Sequence, residues 1–421
     1  MSTPTDDLSQ LDIVSPELWE DHVPHEQLAL LRRLDPVHWH PEPAPNHGFW
    51  AITRHADVIA VSKNTQVFSS GDGLTMLEEV EPEALDARRS LIDSDAPQHQ
   101  RLRRIVSPLF TPKAIAAYEG FARSTAAGLL DRAAARLEFD WVLDVAEPLP
   151  ITVLINILGA PSADADRLIA LSNQMIAIDD PDYAPDYASL PAHVNPKHLP
   201  FGSPASYHVF EYGRQLGELR RAQPTEDLVS RLVHAEVDGE RLTQDEFNNM
   251  FQILILAGNE TTRTTLTHGM KAFIDHPEQL QLLADDPSLM DSAVEEIIRW
   301  ATPVLYMRRT ARADIELHGT TIRRGDKVAM WYMSANFDED VFDEPHRFDI
   351  TRSPNPQLGF GGGGPHFCLG AWLARLQIRV VFEEVLARGL RLESAGPTRR
   401  IRSNFVNGVK TMPVRVTAGQ W

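Results

Sequence analysis

The apolar pattern is most sustained from Phe247 to about Asp275 and stops just before His276-Pro277. Thr243-Gln244-Asp245-Glu246 ahead of it has the form of a capping box, so the pattern predicts one long helix over 243–275. Its segment FQILILAG is apolar all round, which places that helix across the protein interior. A second helical pattern runs from about Pro287 to Trp300, and a third from near Cys368 to near Gly389. Strand signals are short. They are Phe49-Trp50-Ala51-Ile52-Thr53, then Asp314–Leu317 and Lys327–Trp331, with the turn signals His318-Gly319 and Arg324-Gly325-Asp326 between the last two. Helical patterns follow the first of these strands, from Thr53 through to about Leu171. The expected fold class is mainly α with a small segregated β region.

One stretch breaks the periodicity. Between Asp179 and Pro204 the chain carries six prolines and few periodic apolar positions. It reads as an irregular loop, either a plain surface connection or a lid. No internal repeat or low-complexity linker divides the chain, so residues 1–421 are expected to form a single domain.

Composition narrows the chemistry. The chain has 421 residues, 43% of them hydrophobic, enough for a sizeable core. A formal net charge of -19 argues against nucleic acid or an anionic membrane as partner. No stretch approaches the roughly 20 apolar residues of a membrane span, and the N-terminus is acidic and polar, unlike a signal or transit peptide. A cytoplasmic protein is expected. The single cysteine, Cys368, excludes an intramolecular disulfide, a CxxC redox pair and an all-cysteine zinc or iron–sulfur site. HExxH, GxSxG and GxxxxGK[ST] motifs are all absent.

What remains is one thiol beside a glycine cluster, LGFGGGGPHFCLG over residues 358–370. A thiolate that ligates a metal needs close backbone approach and N–H groups aimed at sulfur. A glycine loop running into a helix N-terminus supplies both, and the helix dipole favours the anion. Cys368 is expected where that helix begins. On residue type alone it is equally compatible with an inert core thiol. The loop also matches GxGxxG formally, but no buried strand precedes it and the following acids, Glu383 and Glu384, fall within a helix, so a dinucleotide site is excluded on context.

Two further motifs precede the loop. Glu296-Ile297-Ile298-Arg299 sets an acid and a base on one helical face, an arrangement common on any surface. Ala257-Gly258-Asn259-Glu260-Thr261-Thr262 puts an acid inside the apolar helix, which is costly unless it is partnered. Thr261 can bond back to the carbonyl of Ala257, and Gly258 permits local distortion there.

Together these residues resemble the cytochrome P-450 superfamily. Phe360, Gly361, Gly363, His366, Cys368, Leu369 and Gly370 are similar to its haem-binding signature. Phe360 lies eight residues before Cys368, where the commonest form has seven. That longer loop resembles a bacterial subgroup acting on sterols and branched lipids. AGNETTR, EEIIRWATPVLYMRRT and NGVKTMPV look like the same actinobacterial ω-hydroxylases, within a resemblance running from about Trp50 to Val416.

The resemblance implies the superfamily's fold, with haem b between the long helix and the Cys368 loop. It implies Cys368 as iron ligand, Glu260 and Thr261 as the acid–alcohol pair delivering protons during dioxygen cleavage, and a structural network of Glu296, Arg299 and Arg352. His99, Arg103, Arg309 and His366 fall where the superfamily holds the haem propionates, with Arg308 a competitor for Arg309. Phe360, Gly361, Gly370 and Ala257 are expected against the haem, and Leu254, Ala257, Val304, Leu305 and Phe405 around an apolar substrate. The implied activity is a monooxygenase hydroxylating a methyl-branched lipid, sterol side chain or terpenoid with O2. With no flavin or nicotinamide module, electrons are expected from NAD(P)H through a ferredoxin reductase and ferredoxin, docking on Arg375, Arg379, Arg101, Arg104 and Lys113. A peroxide-driven haem-thiolate enzyme and a haem-binding sensor or carrier are the alternatives.

Overall fold

The structure, a computed structural model, describes residue 8 and residues 11–44, 46–237 and 239–417. Its axis is the helix Gln244–Asp275, 32 residues long. The capping box forms: the Thr243 hydroxyl accepts from the N–H of Glu246 at 3.1 Å, and the Glu246 carboxylate accepts from that of Thr243 at 3.0 Å. Residues on all sides of this helix are buried, as its apolar circumference requires. Pro148–Leu158, Ala165–Ile176 and Pro204–Ala222 pack on one side of it, Met290–Ala301 and Ala371–Ala387 on the other.

Gly269 permits a close crossing of the long helix with two of these neighbours. A Cβ there would lie 2.7 Å from Ile297 Cγ2 and 3.0 Å from Phe382 Cζ, and both of those side chains are fully buried. The fold is 52% helical, as the apolar pattern predicts.

The main sheet has five strands in the spatial order Val37–His40, Phe49–Ile52, Lys327–Trp331, Tyr306–Ala311, Phe68–Ser69. Only the pairing of Phe49–Ile52 with Lys327–Trp331 is parallel. The two turn signals close different structures. His318 and Gly319, with φ of 51° and 76°, join Ile315–Leu317 to Thr320–Ile322 in a two-residue hairpin. The Arg324-Gly325-Asp326 turn delivers Lys327–Trp331 to the main sheet instead.

Three expectations shift in detail. The helix expected from Pro287 opens with a 3₁₀ turn, Pro287–Leu289, and becomes α-helical at Met290. The helix expected at Cys368 begins at Ala371, so the thiol sits three residues ahead of it. Residues 179–204 are four 3₁₀ turns whose first part is pinned down. Asp180, fully buried, binds Lys410 Nζ at 2.9 Å and accepts from the N–H of Arg402 at 2.9 Å, while Asp182 meets Lys410 at 2.8 Å. The far end, Pro200 and Phe201, reaches an internal cavity.

On an open helix, Gly→Ala stabilises by about 1 kcal/mol. At Gly269 the immobile Ile297 and Phe382 reverse the sign. Gly269→Ala is expected to lose about 1–3 kcal/mol, read as a lower unfolding midpoint; an unchanged or raised midpoint would show that the crossing relaxes freely.

Candidate functional site

The Cys368 loop is fixed from below. Asn336 Oδ1 accepts from the N–H of Leu358 at 2.7 Å, and its amide donates to Thr302 Oγ1 at 2.8 Å. Gly361, Gly363 and Gly364 then take φ of 93°, 88° and 77°, left-handed positions that side chains resist. This coil returns the Cys368 N–H to the Phe360 carbonyl at 3.0 Å. Cys368 opens onto free space on one side. Desolvation by the loop on its other sides pushes its thiol pKa up, opposed by the Gly370 N–H and by Arg103 and Arg375. A Cβ on Gly370 would meet nothing within 4 Å, so the surface beside the thiol is clear for a flat ligand.

Beneath the loop lies a buried ion cluster. Arg299 binds Glu296 through Nε and Nη2, both at 2.8 Å, and both side chains are fully buried. Arg352 Nε adds a third bond to Glu296 at 3.2 Å, and Arg299 Nη1 donates to the carbonyls of Asn336 and Pro345. Glu296, Arg299 and Arg352, grouped in the sequence by the resemblance, are thus joined in space through Glu296.

His99, Arg103, Arg309 and His366 converge as the resemblance implies. The His99 and His366 rings lie 4.1 Å apart, and His99 Nε2 has no hydrogen-bond partner. Arg309 is buried, donates only to the Arg308 carbonyl, and leaves its Nε without a partner. Arg103 donates to the Phe367 carbonyl at 2.6 Å. Desolvation lowers the pKa of His99 to about 4, that of His366 to about 3, and that of Arg309. Strand alternation separates the two arginines: Arg308 faces the other way and donates to the Glu78 carbonyl at 2.9 Å. Buried donors without a carboxylate partner fit an anionic ligand, and they stand beside the open thiol. Among the described residues no three His, Cys, Asp or Glu converge to hold a metal alone, so a metal at Cys368 needs a macrocycle for its other ligands.

On the long helix, Thr261 Oγ1 donates to the Ala257 carbonyl at 2.8 Å. Glu260 is 1% exposed and meets Arg263 at 2.5 Å, and it accepts from Thr264 Oγ1 at 3.1 Å. Arg263 in turn donates to Glu147 at 2.6 Å and to Asn173 Oδ1 at 2.8 Å. One guanidinium thus serves two carboxylates. Desolvation, with the nearby Glu147 charge, pushes the Glu260 pKa up. Glu147 and Asn173 are far away in sequence, and no sequence signal names them.

Ala257, Glu260, Thr261, Val304 and Phe405 line one cavity. Leu254 and Leu305 lie outside that lining and pack in the core instead. On the long helix the cavity takes Gln252, Ile253, Leu256, Ala257, Glu260 and Thr261, a face from whose centre Leu254 is turned by about 100°. Leu305 is drawn inward as its N–H bonds the Phe405 carbonyl at 2.9 Å. Counting back from Ala257 by four would have found Ile253; Met76, Met307 and Phe201 carry no such signal.

The expected basic patch is largely neutralised. Arg375 makes two bonds to Glu295 and stacks over Phe360 at 4.4 Å. Arg379 pairs with Glu119 and Glu383, and Arg101 pairs with Glu246. Glu295, Glu119 and Glu246 come from distant parts of the chain, and spacing cannot show them; Glu383, four residues from Arg379 on the same helix, was within reach of a spacing argument.

A thiol on a glycine coil, a cluster of arginine and histidine donors and an acid–alcohol pair on an apolar cavity define a haem-thiolate oxygenase. The cytochrome P450 family model matches residues 47–394, and the chain belongs to that family as a cytochrome P450 monooxygenase. It is 41% identical over 418 residues to a steroid C26-monooxygenase of Mycolicibacterium smegmatis, covering 97% of this chain and 94% of that protein. It is 40% identical to a methyl-branched lipid omega-hydroxylase of Mycobacterium tuberculosis, covering 97% and 95%. A Mycobacterium marinum cytochrome P450 solved in complex with pseudoionone superposes with a TM-score of 0.87 at 38% identity, covering 96% of this chain and 98% of that one. Among the described residues no helix is long and apolar enough to cross a membrane.

Removing Arg299 leaves Glu296 buried with only Arg352 and Asn355 as side-chain partners. Arg299→Ala is expected to cost about 3–5 kcal/mol, seen as a collapsed unfolding midpoint and lost haem incorporation. A variant that retains both would deny the cluster its structural role.

Proposed function

We propose that this enzyme hydroxylates C–H bonds of an apolar, lipid-like substrate: a methyl-branched lipid, a sterol side chain or a terpenoid. The observation that carries the reading is Thr261 bonded to Ala257 beside a buried Glu260 whose ionisation burial opposes, both on the wall of a largely apolar cavity. The 40% and 41% identities to lipid and steroid hydroxylases support the substrate class.

Haem b would be held by the Cys368 thiolate, with His99, Arg103, Arg309 and His366 toward its propionates, and would supply the redox and dioxygen chemistry. Phe360, Gly361, Gly370 and Ala257 border it. The protein's own work is positioning and protons. The Thr261 hydroxyl can turn from the Ala257 carbonyl and present its hydrogen to the cavity. Glu260 holds a replacement proton at its carboxylate, because burial and Glu147 oppose its ionisation. Ile253, Leu256, Val304 and Phe405 exclude water and hold the substrate terminus against the reacting face. Electrons from NAD(P)H enter through a ferredoxin and its reductase in the cytoplasm. The acid–alcohol pair favours the dioxygen route over a peroxide-driven one, and a sensor would need neither group.

Titrating the holoenzyme with a branched fatty acid, a terpenoid and a sterol is expected to shift the haem band with one class; no response to any of them sinks the lipid assignment. Thr261→Ala is expected to keep binding but to lower product formed per NAD(P)H consumed by about 10-fold or more, with peroxide released instead. Unchanged coupling would remove Thr261 from proton delivery.

A further inference from the structure

The cavity that Thr261 lines has a polar far end. Arg88, the residue that closes the helix Pro82–Ala87, lines it together with Glu78, Ser90 and Asp93. The Arg88 side chain is 3% exposed, whereas Glu78, its ion-pair partner at 2.8 Å, is 41% exposed. That pair uses only Nη1 of the guanidinium. Nε is buried with no hydrogen-bond partner, and Nη2 lies near Gly202, where an added Cβ would come within 3.7 Å of it.

Nε and Nη2 form the side-on edge of a guanidinium, the edge that grips a carboxylate with two parallel bonds. Four arginines of this chain use that edge on both oxygens of a carboxylate: Arg214 on Glu211, Arg299 on Glu296, Arg312 on Asp72 and Arg375 on Glu295. At Arg88 alone among these the same edge faces a cavity. Asp93 does not compete for it, since its oxygens accept from Ser90 Oγ at 2.6 Å and from the N–H and hydroxyl of Thr75 at 2.9 and 3.0 Å. Burial also pushes the Asp93 pKa up, which weakens its repulsion of an anion. Glu78 orients the guanidinium from the solvent side.

Between the two ends the wall is apolar, through Ile92, Ile176, Ile253 and Leu256. Asn249 Nδ2 donates to the Ala87 carbonyl, so the Arg88 end lies beside residue 249 of the long helix. Thr261 lies twelve residues further along, about 18 Å of helix rise. We propose that Arg88 receives the carboxylate of a long-chain lipid acid through Nε and Nη2, which holds the opposite, apolar terminus at Ala257 and Thr261. The site therefore selects for an anionic head group and for oxidation at the far end of the chain. It rests on the lipid reading above and narrows it to acids.

The test is a haem-band titration of the holoenzyme with isopalmitic acid and with its methyl ester, which keeps the chain but cannot accept two charge-assisted bonds. The wild type is expected to bind the acid about 10–100-fold more tightly than the ester. Arg88→Gln is expected to bind both with the ester's affinity, with its reduced carbonyl spectrum unchanged. Arg88→Lys, which keeps the charge and loses the planar edge, is expected to recover only part of the preference. Equal binding of acid and ester by the wild type, or a preference that survives in Arg88→Gln, overturns the Arg88 site and leaves the lipid reading standing. Failure of both ligands to shift the band overturns both.

Discussion

The bonds of Arg299 carry the proximal half of the molecule. Its guanidinium makes two bonds to Glu296, reaches the Asn336 and Pro345 carbonyls, and lies within 5.3 Å of the Phe337 and Phe342 rings. Such a buried pair is not an efficient source of stability compared with apolar packing. Its value is geometric. Asn336, held through its carbonyl by Arg299, uses its side chain to hold the N–H of Leu358, the first residue of the glycine coil. The position of Cys368 is thereby referred to a rigid helix and not to the loop that carries it. A thiol on a coil of left-handed glycines would otherwise wander.

The distal half obeys a different constraint. A carboxylate inside an apolar helix must be compensated, yet a fully compensated carboxylate would be a poor proton carrier. Sharing Arg263 between Glu260 and Glu147 satisfies both requirements. The guanidinium makes burial tolerable, and the second acid keeps Glu260 from being held firmly as an anion. Glu147 follows a π-helical turn, Val142–Ala146, and that irregular backbone sets the second acid at the junction with the next helix.

What was legible in the sequence is what is local. Glu296 and Arg299, Ala257 and Thr261, and the glycine run before Cys368 are each a few residues apart, and each became a contact or a turn. The long helix declared itself by its cap and its apolar circumference. Contacts between distant segments were not legible. Arg101 looks like a free cation in the sequence because Glu246, 145 residues away, leaves no trace near it. Arg88 was invisible for the same reason. Leu254 shows a subtler failure: residue type and motif neighbourhood placed it at the cavity, while helical phase turned it into the core and put Ile253 there. The family resemblance covered part of this gap. It grouped His99, Arg103, Arg309 and His366, which span most of the chain and share no spacing rule.

The anchoring of residues 179–204 bears on how anything reaches the interior. Asp180 and Asp182 tie the start of this segment to Lys410, which belongs to the strand Val409–Thr411, just beyond the cavity residues Phe405 and Val406. The segment is therefore not a flap swinging from a free hinge. Its start moves with one wall of the chamber, and only the stretch between Tyr183 and Phe201 is free of that tie. Admission then resembles the flexing of a short awning whose frame is bolted on. Bulk at the leading end of a molecule would govern how fast it passes, more than its overall length.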